Sequence, residues 1–488
     1  MLYLLLAATV THGVAVGEVT SSSAVIWSRS SDAAEMVVEI GSNRALASPR
    51  AERGRATAED DFTARVDIEE LEPNTTYHYR VRFISSEDAS EDASEPVSGS
   101  FRTAPSSDAA ASVRFIVMGD LGGHGYCREE GKGYAVFSEM EALEPDFLVA
   151  NGDMIYADSE CTAERADGGR NVPGDFPKID DPGVDWTDAA AVREVYLAHW
   201  RYNRADPHFQ SLLSKTSMYS QWDDHEVIND FGAAWPTLTA AIERDGYPTL
   251  VREGLKALFD FHPMRRHPGE PDRIYRSFRW GRDVELFLID ARSYRSLNDL
   301  ADRPDNDKTL LGREQLDWLK RGLAGSDATW KIVSTDVPLS IPTGSQAHLF
   351  GRDAFADGTD ADYSARTGFE GELTELLMHL DRENVANVVF VATDVHFAMS
   401  LRYETDVDGD GDRLLFHELV SGPLSAVKTA PRGPDPTFQP RILYAEGELF
   451  NFSFVRIERR DGVSHLLADI RDETGAVRFG SSLNLAAQ

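Results

Sequence analysis

The chain has 488 residues, with 82 acidic and 49 basic side chains and a formal net charge of −33. So acidic a surface repels a phosphate backbone and excludes nucleic-acid binding by bulk charge. A hydrophobic share of 42% with 10% aromatic residues excludes a disordered acidic chain.

The length suggests two or three domains. Two cysteines, Cys127 and Cys161, are too few for a disulfide scaffold or a Cys-rich zinc ribbon. No apolar run reaches the ~18 residues of a membrane helix. Only eight of the basic residues are lysines. High acid with little lysine fits a surface adapted to salt, and equally a genome that prefers arginine codons.

In chain order, residues 2–10 form a short apolar run with no preceding Lys or Arg and no clear small-residue cleavage site. They read as the stub of an export signal or as a first strand. Residues 11–103 read as an all-β module. Val25, Ile26 and Trp27 form one β-prone run, and Val37, Val38 and Ile40 another. Tyr77, Tyr79 and Val81 alternate with polar residues, the period of a half-buried strand. The polar run 85–98 predicts an exposed loop, and Ser106–Ser112 a linker. From Val113 strands and helices alternate. Strands are expected at 113–118, 147–150, 273–279, 284–290, 330–335 and 387–393. Helices are expected near 134–143, 189–204, 248–259, 312–322 and 370–382, and two short strands beside an acidic turn at 405–412. This pattern predicts a β module over 1–105 and a mixed α/β domain over 106–488.

Four loops follow apolar strands and end in metal-friendly residues: Gly119-Asp120-Leu121-Gly122, Asn151-Gly152-Asp153-Met154-Ile155-Tyr156, Asp223-Asp224-His225-Glu226 and Asp394-Val395-His396. Ligands of open α/β sheets sit beyond the carboxyl ends of strands, where such loops converge. The glycines before Asp120 and Asp153 suit a sharp turn. Singly, a Gly-Asp after a strand is more often a turn than a ligand, and a lone His396 more often a hydrogen-bonded core residue. The order of the set carries the case.

That order resembles the calcineurin-type metallophosphoesterases, and the tyrosine three residues after the second aspartate resembles purple acid phosphatases. The wider wording is most similar to the alkaline phosphatase D-type phosphatases. It includes Trp222-Asp223-Asp224-His225-Glu226, Leu288-Ile289-Asp290-Ala291-Arg292, Gln315-Leu316-Asp317-Trp318 and Glu418-Leu419-Val420-Ser421-Gly422-Pro423. Thr11-His12-Gly13-Val14, Val25-Ile26-Trp27 and Phe101-Arg102-Thr103-Ala104-Pro105 resemble the wording of the small sandwich, of fibronectin or immunoglobulin type, that precedes the catalytic domain in that family.

The resemblance implies two metals bridged by Asp153. The first takes Asp120, Asp153, Tyr156 and His396. The second takes Asp153, Asp224 and Asp394, with Asp336 standing where the superfamily has a histidine. A phenolate suits Fe3+, and a site of carboxylates alone favours Ca2+, Mn2+ or Mg2+ over Zn2+. Fe3+ with Ca2+ is therefore expected. The mechanism implied is hydrolysis of a small phosphate monoester or diester by a metal-bound hydroxide. His225 would face the leaving group as acid or donor, with Glu226 orienting its ring; the other reading of His225 is a metal ligand displaced by one position. Asn229 and Arg292 are candidate donors to the phosphoryl oxygens, Arg128 a third, and Asp290 is expected to fix an arginine.

Cys127 lies seven residues after Asp120 and Cys161 eight after Asp153. If the two aspartates end neighbouring strands, the cysteines fall on adjacent loops and pair; otherwise they are two separate small hydrophobic side chains. A disulfide suits a periplasmic or secreted protein. Asp406-Val407-Asp408-Gly409-Asp410-Gly411-Asp412 opens like a calcium loop, but its twelfth position is His417, so a hairpin turn with solvated carboxylates is the safer reading. The functional reading is a metal-dependent phosphatase or phosphodiesterase. The alternative is a non-catalytic extracellular binding protein with a degenerate phosphoesterase domain.

Overall fold

Alternate residues of the central strands face two different cores, as the two-residue period of a strand requires. Phe115 and Val117 point into one core, while Ile116 and Met118 point into another. The computed structural model describes residues 8–85, 93–232, 244–298, 300–303, 305–342, 354–357 and 368–488. Residues 1–7 of the apolar start, and residues 86–92 of the polar run 85–98, lie outside these.

One sheet has nine strands, in the order Leu483–Ala486, Val463–Asp472, Asn451–Arg460, Val113–Met118, Phe147–Asn151, Ser217–Gln221, Val10–Gly17, Ala24–Ser30 and Thr63–Ile68. A second has seven, in the order Arg276–Trp280, Val284–Leu288, Trp330–Ser334, Val388–Ala392, Leu414–Val420, Ala398–Thr405 and Arg441–Glu446. The two sheets share a core that includes Phe115, Phe147, Tyr219, Leu286, Ile332 and Val389. Helices Ala189–Arg204 and Tyr247–Phe261 cover the outer face of the first sheet; Arg313–Gly325 and Glu370–Arg382 cover that of the second. The result is a four-layer sandwich of helix, sheet, sheet and helix.

The N-terminal strands form the expected small β sandwich, and one of its two layers joins this frame. Gly17 pairs in parallel with Met218, so Val10–Gly17, Ala24–Ser30 and Thr63–Ile68 extend the nine-stranded sheet. A separate sheet of four antiparallel strands (Arg50–Ala56, Ala34–Gly41, Thr76–Ile84 and Val97–Arg102) packs on them, and its Met36, Val38 and Val81 join the inter-sheet core.

This topology positions the site. Val113–Met118, Phe147–Asn151 and Ser217–Gln221 run parallel, as do Val284–Leu288, Trp330–Ser334, Val388–Ala392 and Leu414–Val420. The four loops singled out above, and those holding Asp290 and Asp336, follow the carboxyl ends of six of these strands. Asn151 ties the two sheets at that edge: its amide donates to the Thr335 carbonyl (2.7 Å) and its oxygen accepts from the Ser334 hydroxyl.

Candidate metal centre

The loops after the parallel strands bring Asp120, Asp153 and His396 together, with one ligand atom from each within 4.8 Å of the others. Asp153, Asp224 and His225 form a second such group, so Asp153 belongs to both. The Tyr156 hydroxyl lies 2.9 Å from His396 Nε2. Asp120, Asp153, Asp224 and Tyr156 are all buried.

The backbone at the centre takes an uncommon form. Asp120, Asp153, Asp394 and His396 have φ of 60°, 53°, 72° and 63°, in the left-handed region that costs a non-glycine residue ~1 kcal/mol or more. The sharp turn predicted for the glycine before Asp120 is thus made by the aspartate itself. Two glycines give room instead. A Cβ on Gly422 would lie 2.1 Å from Asp120 Oδ2, and one on Gly152, at φ 103°, would lie 2.5 Å from Asp223 Cβ.

Backbone N–H groups hold the carboxylates by one oxygen each. Asp394 N–H donates to Asp120 Oδ1 (3.2 Å), His225 N–H to Asp153 Oδ1 (3.1 Å) and Asp230 N–H to Asp224 Oδ2 (2.6 Å). Asp120 Oδ2, Asp224 Oδ1 and both oxygens of Asp336 are buried and accept no hydrogen bond. A buried carboxylate oxygen with no donor is costly unless a cation meets it, so this donor set fits metal ions. Burial first, and the nearby Asp223 next, hold the Asp120 carboxyl well above its usual range; burial and then Asp224 do the same for Asp153. Burial, helped by His124 and His225, drives His396 down to about 3, which keeps its ring neutral as a ligand must be.

His225 sits beside the centre with its ring 4.1 Å from that of Tyr156. Its Nδ1 bonds Asp158 at 2.6 Å, and its Nε2 lies 4.0 Å from Asp224 Oδ1. Burial opposes charge on this ring, but Asp158 and Asp224 outweigh it and raise His225 to about 10. The partner predicted for this imidazole was Glu226. Glu226 instead accepts the backbone N–H groups of Asp153 (3.0 Å), Met154 (2.7 Å) and Asp223 (2.8 Å), and so fastens the second loop to the third. It points into the loop backbone, away from the ring.

Asn229 is exposed beside His225, and its backbone N–H donates to Asp158 Oδ2 at 2.8 Å. Arg292 lies behind the carboxylates, with its side chain 0% exposed and bonded to Asp223 at 2.5 Å. Asp224, Asp336 and Asp394 lie 3.7–3.8 Å from its nitrogens. From there the guanidinium braces acidic groups and does not reach the surface. Asp290 fixes the Arg292 backbone, accepting its N–H at 3.1 Å, and Trp222 Nε1 donates to the same oxygen. Arg128 is turned away, donating to the Tyr202 carbonyl at 2.8 Å.

Two residues at the centre were not read from the sequence. Asp158 is the partner of His225; its place two residues beyond Tyr156 was the available signal. His124 is exposed at the rim, and its ring centre lies 5.1 Å from Tyr156 and 5.7 Å from both His225 and His396. Its position four residues after Asp120 was the signal. The two loops are tied beside it. Cys127 and Cys161 form a disulfide, and Ser159 Oγ accepts the His124 N–H at 2.9 Å.

Comparison with known proteins accords with this geometry. Residues 118–451 match the PhoD-like phosphatase family, and residues 6–105 match the PhoD-like phosphatase N-terminal domain. The chain is 23% identical over 447 residues to alkaline phosphatase D of Bacillus subtilis (strain 168), covering 85% of this chain and 69% of that protein. Its fold is similar to a solved structure of PhoD, with a TM-score of 0.72 and 18% identity over 100% of this chain and 94% of that one. It is also similar to a purple acid phosphatase from yellow lupin (Lupinus luteus) seeds. There the TM-score is 0.62 and the identity 14%, over 99% of this chain and 74% of that one.

Proposed function

The chain belongs to the PhoD-like phosphatase family and hydrolyses phosphate esters at a metal site; from that premise we propose a two-cation centre with the following division of labour. Asp120, Asp153, Tyr156 and His396 hold a first cation, Fe3+. Asp153, Asp224, Asp394 and Asp336 hold a second, Ca2+, with Mn2+, Mg2+ or Zn2+ as substitutes. Tyr156 supports iron because a phenolate is a hard anionic donor, and the carboxylates support calcium because all their donors are oxygen. When bound, such cations lower the pKa of a water and offset the charge of the phosphoryl group.

The protein's own residues do the rest. His225, held by Asp158 through Nδ1, presents Nε2 to the ester and donates to the leaving-group oxygen. Asn229 donates to a phosphoryl oxygen from the rim. Arg292 positions Asp223 and the carboxylates of the second group from behind them. Glu226 keeps the loop carrying Asp153 in place. Residues 1–105 serve as a β module joined to the catalytic part, 106–488. The disulfide supports export to an oxidising compartment, and no helix among the described residues is long and apolar enough to cross a membrane.

The observation that carries this reading is that Asp153 stands in both donor groups, beside Asp120 and His396 in one and beside Asp224 and His225 in the other, which supports two adjoining cations. Asp153→Ala is therefore expected to lower kcat/KM on an aryl phosphate ester by ~10³-fold or more and to remove both metals. Elemental analysis of the variant beside the wild type checks it, and full metal content with full activity would defeat the assignment.

A further inference from the structure

Among the described residues Lys428 and Arg432 are two of the basic side chains that form no ion pair, and their place beside the centre sets them apart. Both lie on the segment 427–432, which is fastened to the centre. The Thr429 N–H donates to the His396 carbonyl at 3.1 Å, and its hydroxyl donates to the Val395 carbonyl at 2.8 Å. Aromatic rings, not carboxylates, hold the two cations. The Lys428 ammonium lies 4.6 Å from the centre of the Phe450 ring and 5.8 Å from that of Tyr126. These rings meet edge to face at 5.4 Å, and Tyr126 is two residues beyond His124. The Arg432 guanidinium lies 5.6 Å from the ring centre of Phe397, the residue after His396. Arg432 is half-buried, and its Nε is buried with no hydrogen-bond partner. The carboxylate whose charge it feels is Asp394.

A buried N–H without an acceptor costs ~1–3 kcal/mol. A cation seated on a ring and short of an acceptor has donors left to offer an anion that arrives from outside. In the reading above the scissile phosphate belongs to the two-cation centre, and these two side chains flank it on the segment bonded to the His396 loop. We propose that Lys428 and Arg432 form a subsite for a second phosphate group of the substrate, and that preferred esters carry such a group beside the scissile one. Arg432 accepts it through its guanidinium fork, and Lys428 adds a point charge from the Phe450 shelf. This rests on the phosphoesterase centre described above.

Two esters test it: the p-nitrophenyl ester of thymidine 5′-phosphate with, and without, a 3′-phosphate. Both release the same chromophore and differ by one anionic group. The metal-loaded wild type is expected to favour the 3′-phosphorylated ester about tenfold in kcat/KM, through KM. Lys428→Met with Arg432→Met brings that ratio to about one, while Arg432→Lys, which keeps the charge, retains most of it. Should the double variant not reach the wild-type melting temperature, Lys428→Met alone carries the comparison and is expected to lower the ratio about threefold. Equal kcat/KM for the two esters in the wild type overturns the subsite, as does a ratio unmoved in a folded variant. Hydrolysis of neither ester by metal-loaded wild type overturns the catalytic reading and this inference with it.

Discussion

Asp406, Asp408 and Asp410 gather ligand atoms on a surface turn within the same 4.8 Å as Asp120, Asp153 and His396 do at the carboxyl edge of the strands, yet the two places differ in what surrounds each oxygen. The turn closes the hairpin between Ala398–Thr405 and Leu414–Val420, and its three aspartates are exposed. Its carboxylates accept backbone N–H groups of the turn itself: Gly409 and Gly411 donate to Asp406, Asp410 to Asp408 and Asp412 to Asp410. Water and local amides satisfy these groups. The centre is buried, held in left-handed backbone, and keeps Asp120 Oδ2, Asp224 Oδ1 and both Asp336 oxygens without a donor. Spacing of aspartates alone does not separate the two. Desolvation and the supply of donors do.

That contrast can be tested from its strongest side down. The disulfide ties together the loops that carry His124 and Asp158, and nothing comparable ties the turn. It closes 34 residues of sequence separation, so Cys127→Ser with Cys161→Ser is expected to cost about 3–4 kcal/mol in denaturant unfolding. Activity should fall with it; a variant as stable and active as the wild type would detach the loops from the centre.

Glu418 sharpens the role of donors. It is buried without a second carboxylate, accepts the Leu339 N–H and the Tyr403 hydroxyl, both at 2.6 Å, and burial pushes it up to about 7. The folded state therefore holds this proton more tightly than the unfolded chain. The resulting stability is full below about pH 4.5 and is lost as pH rises through about 7, amounting to about 3 kcal/mol. Glu418→Gln should flatten that part of the stability–pH curve measured by urea unfolding, and an unchanged slope would contradict it.

Asp158→Asn removes the charge behind His225 and keeps the shape. A loss of about 10–100-fold in kcat is expected, with the alkaline limb of the pH–rate profile moved to lower pH, because His225 loses the carboxylate that raises its pKa. A drop in kcat with no displacement of that limb would make Asp158 a packing residue only. The smallest effect is expected on the turn. Asp406→Asn, Asp408→Asn and Asp410→Asn together should change stability by no more than about 0.5 kcal/mol, and the melting temperature with and without added calcium checks it.

Much of the frame was legible in the chain because burial periodicity was clear. Helices at 189–204 and 370–382 and the strand at 113–118 match their predicted spans. The C-terminal hairpin of Asn451–Arg460 and Val463–Asp472 was missed, although Asp461 and Gly462 form a two-residue turn, at φ 50° and 85°, of the sort that closes hairpins. It lies beside Val113–Met118, a pairing across more than 300 residues that local pattern cannot announce.

The sequence by itself determined the donor chemistry. Aspartates, a tyrosine and a histidine follow apolar strands in one order, and parallel strands deliver such loops to one edge. Only the tertiary structure decided the partners. Asp158, not Glu226, holds His225, because the second loop folds Asp158 against the ring while Glu226 turns to the backbone of its neighbours. Arg292 lies behind the carboxylates, because the loop after Val284–Leu288 buries its side chain against Asp223. The N-terminal strands merge with the catalytic sheet through one parallel bridge at Gly17. Each of these outcomes depends on where distant segments meet, and neither residue type nor spacing specifies that.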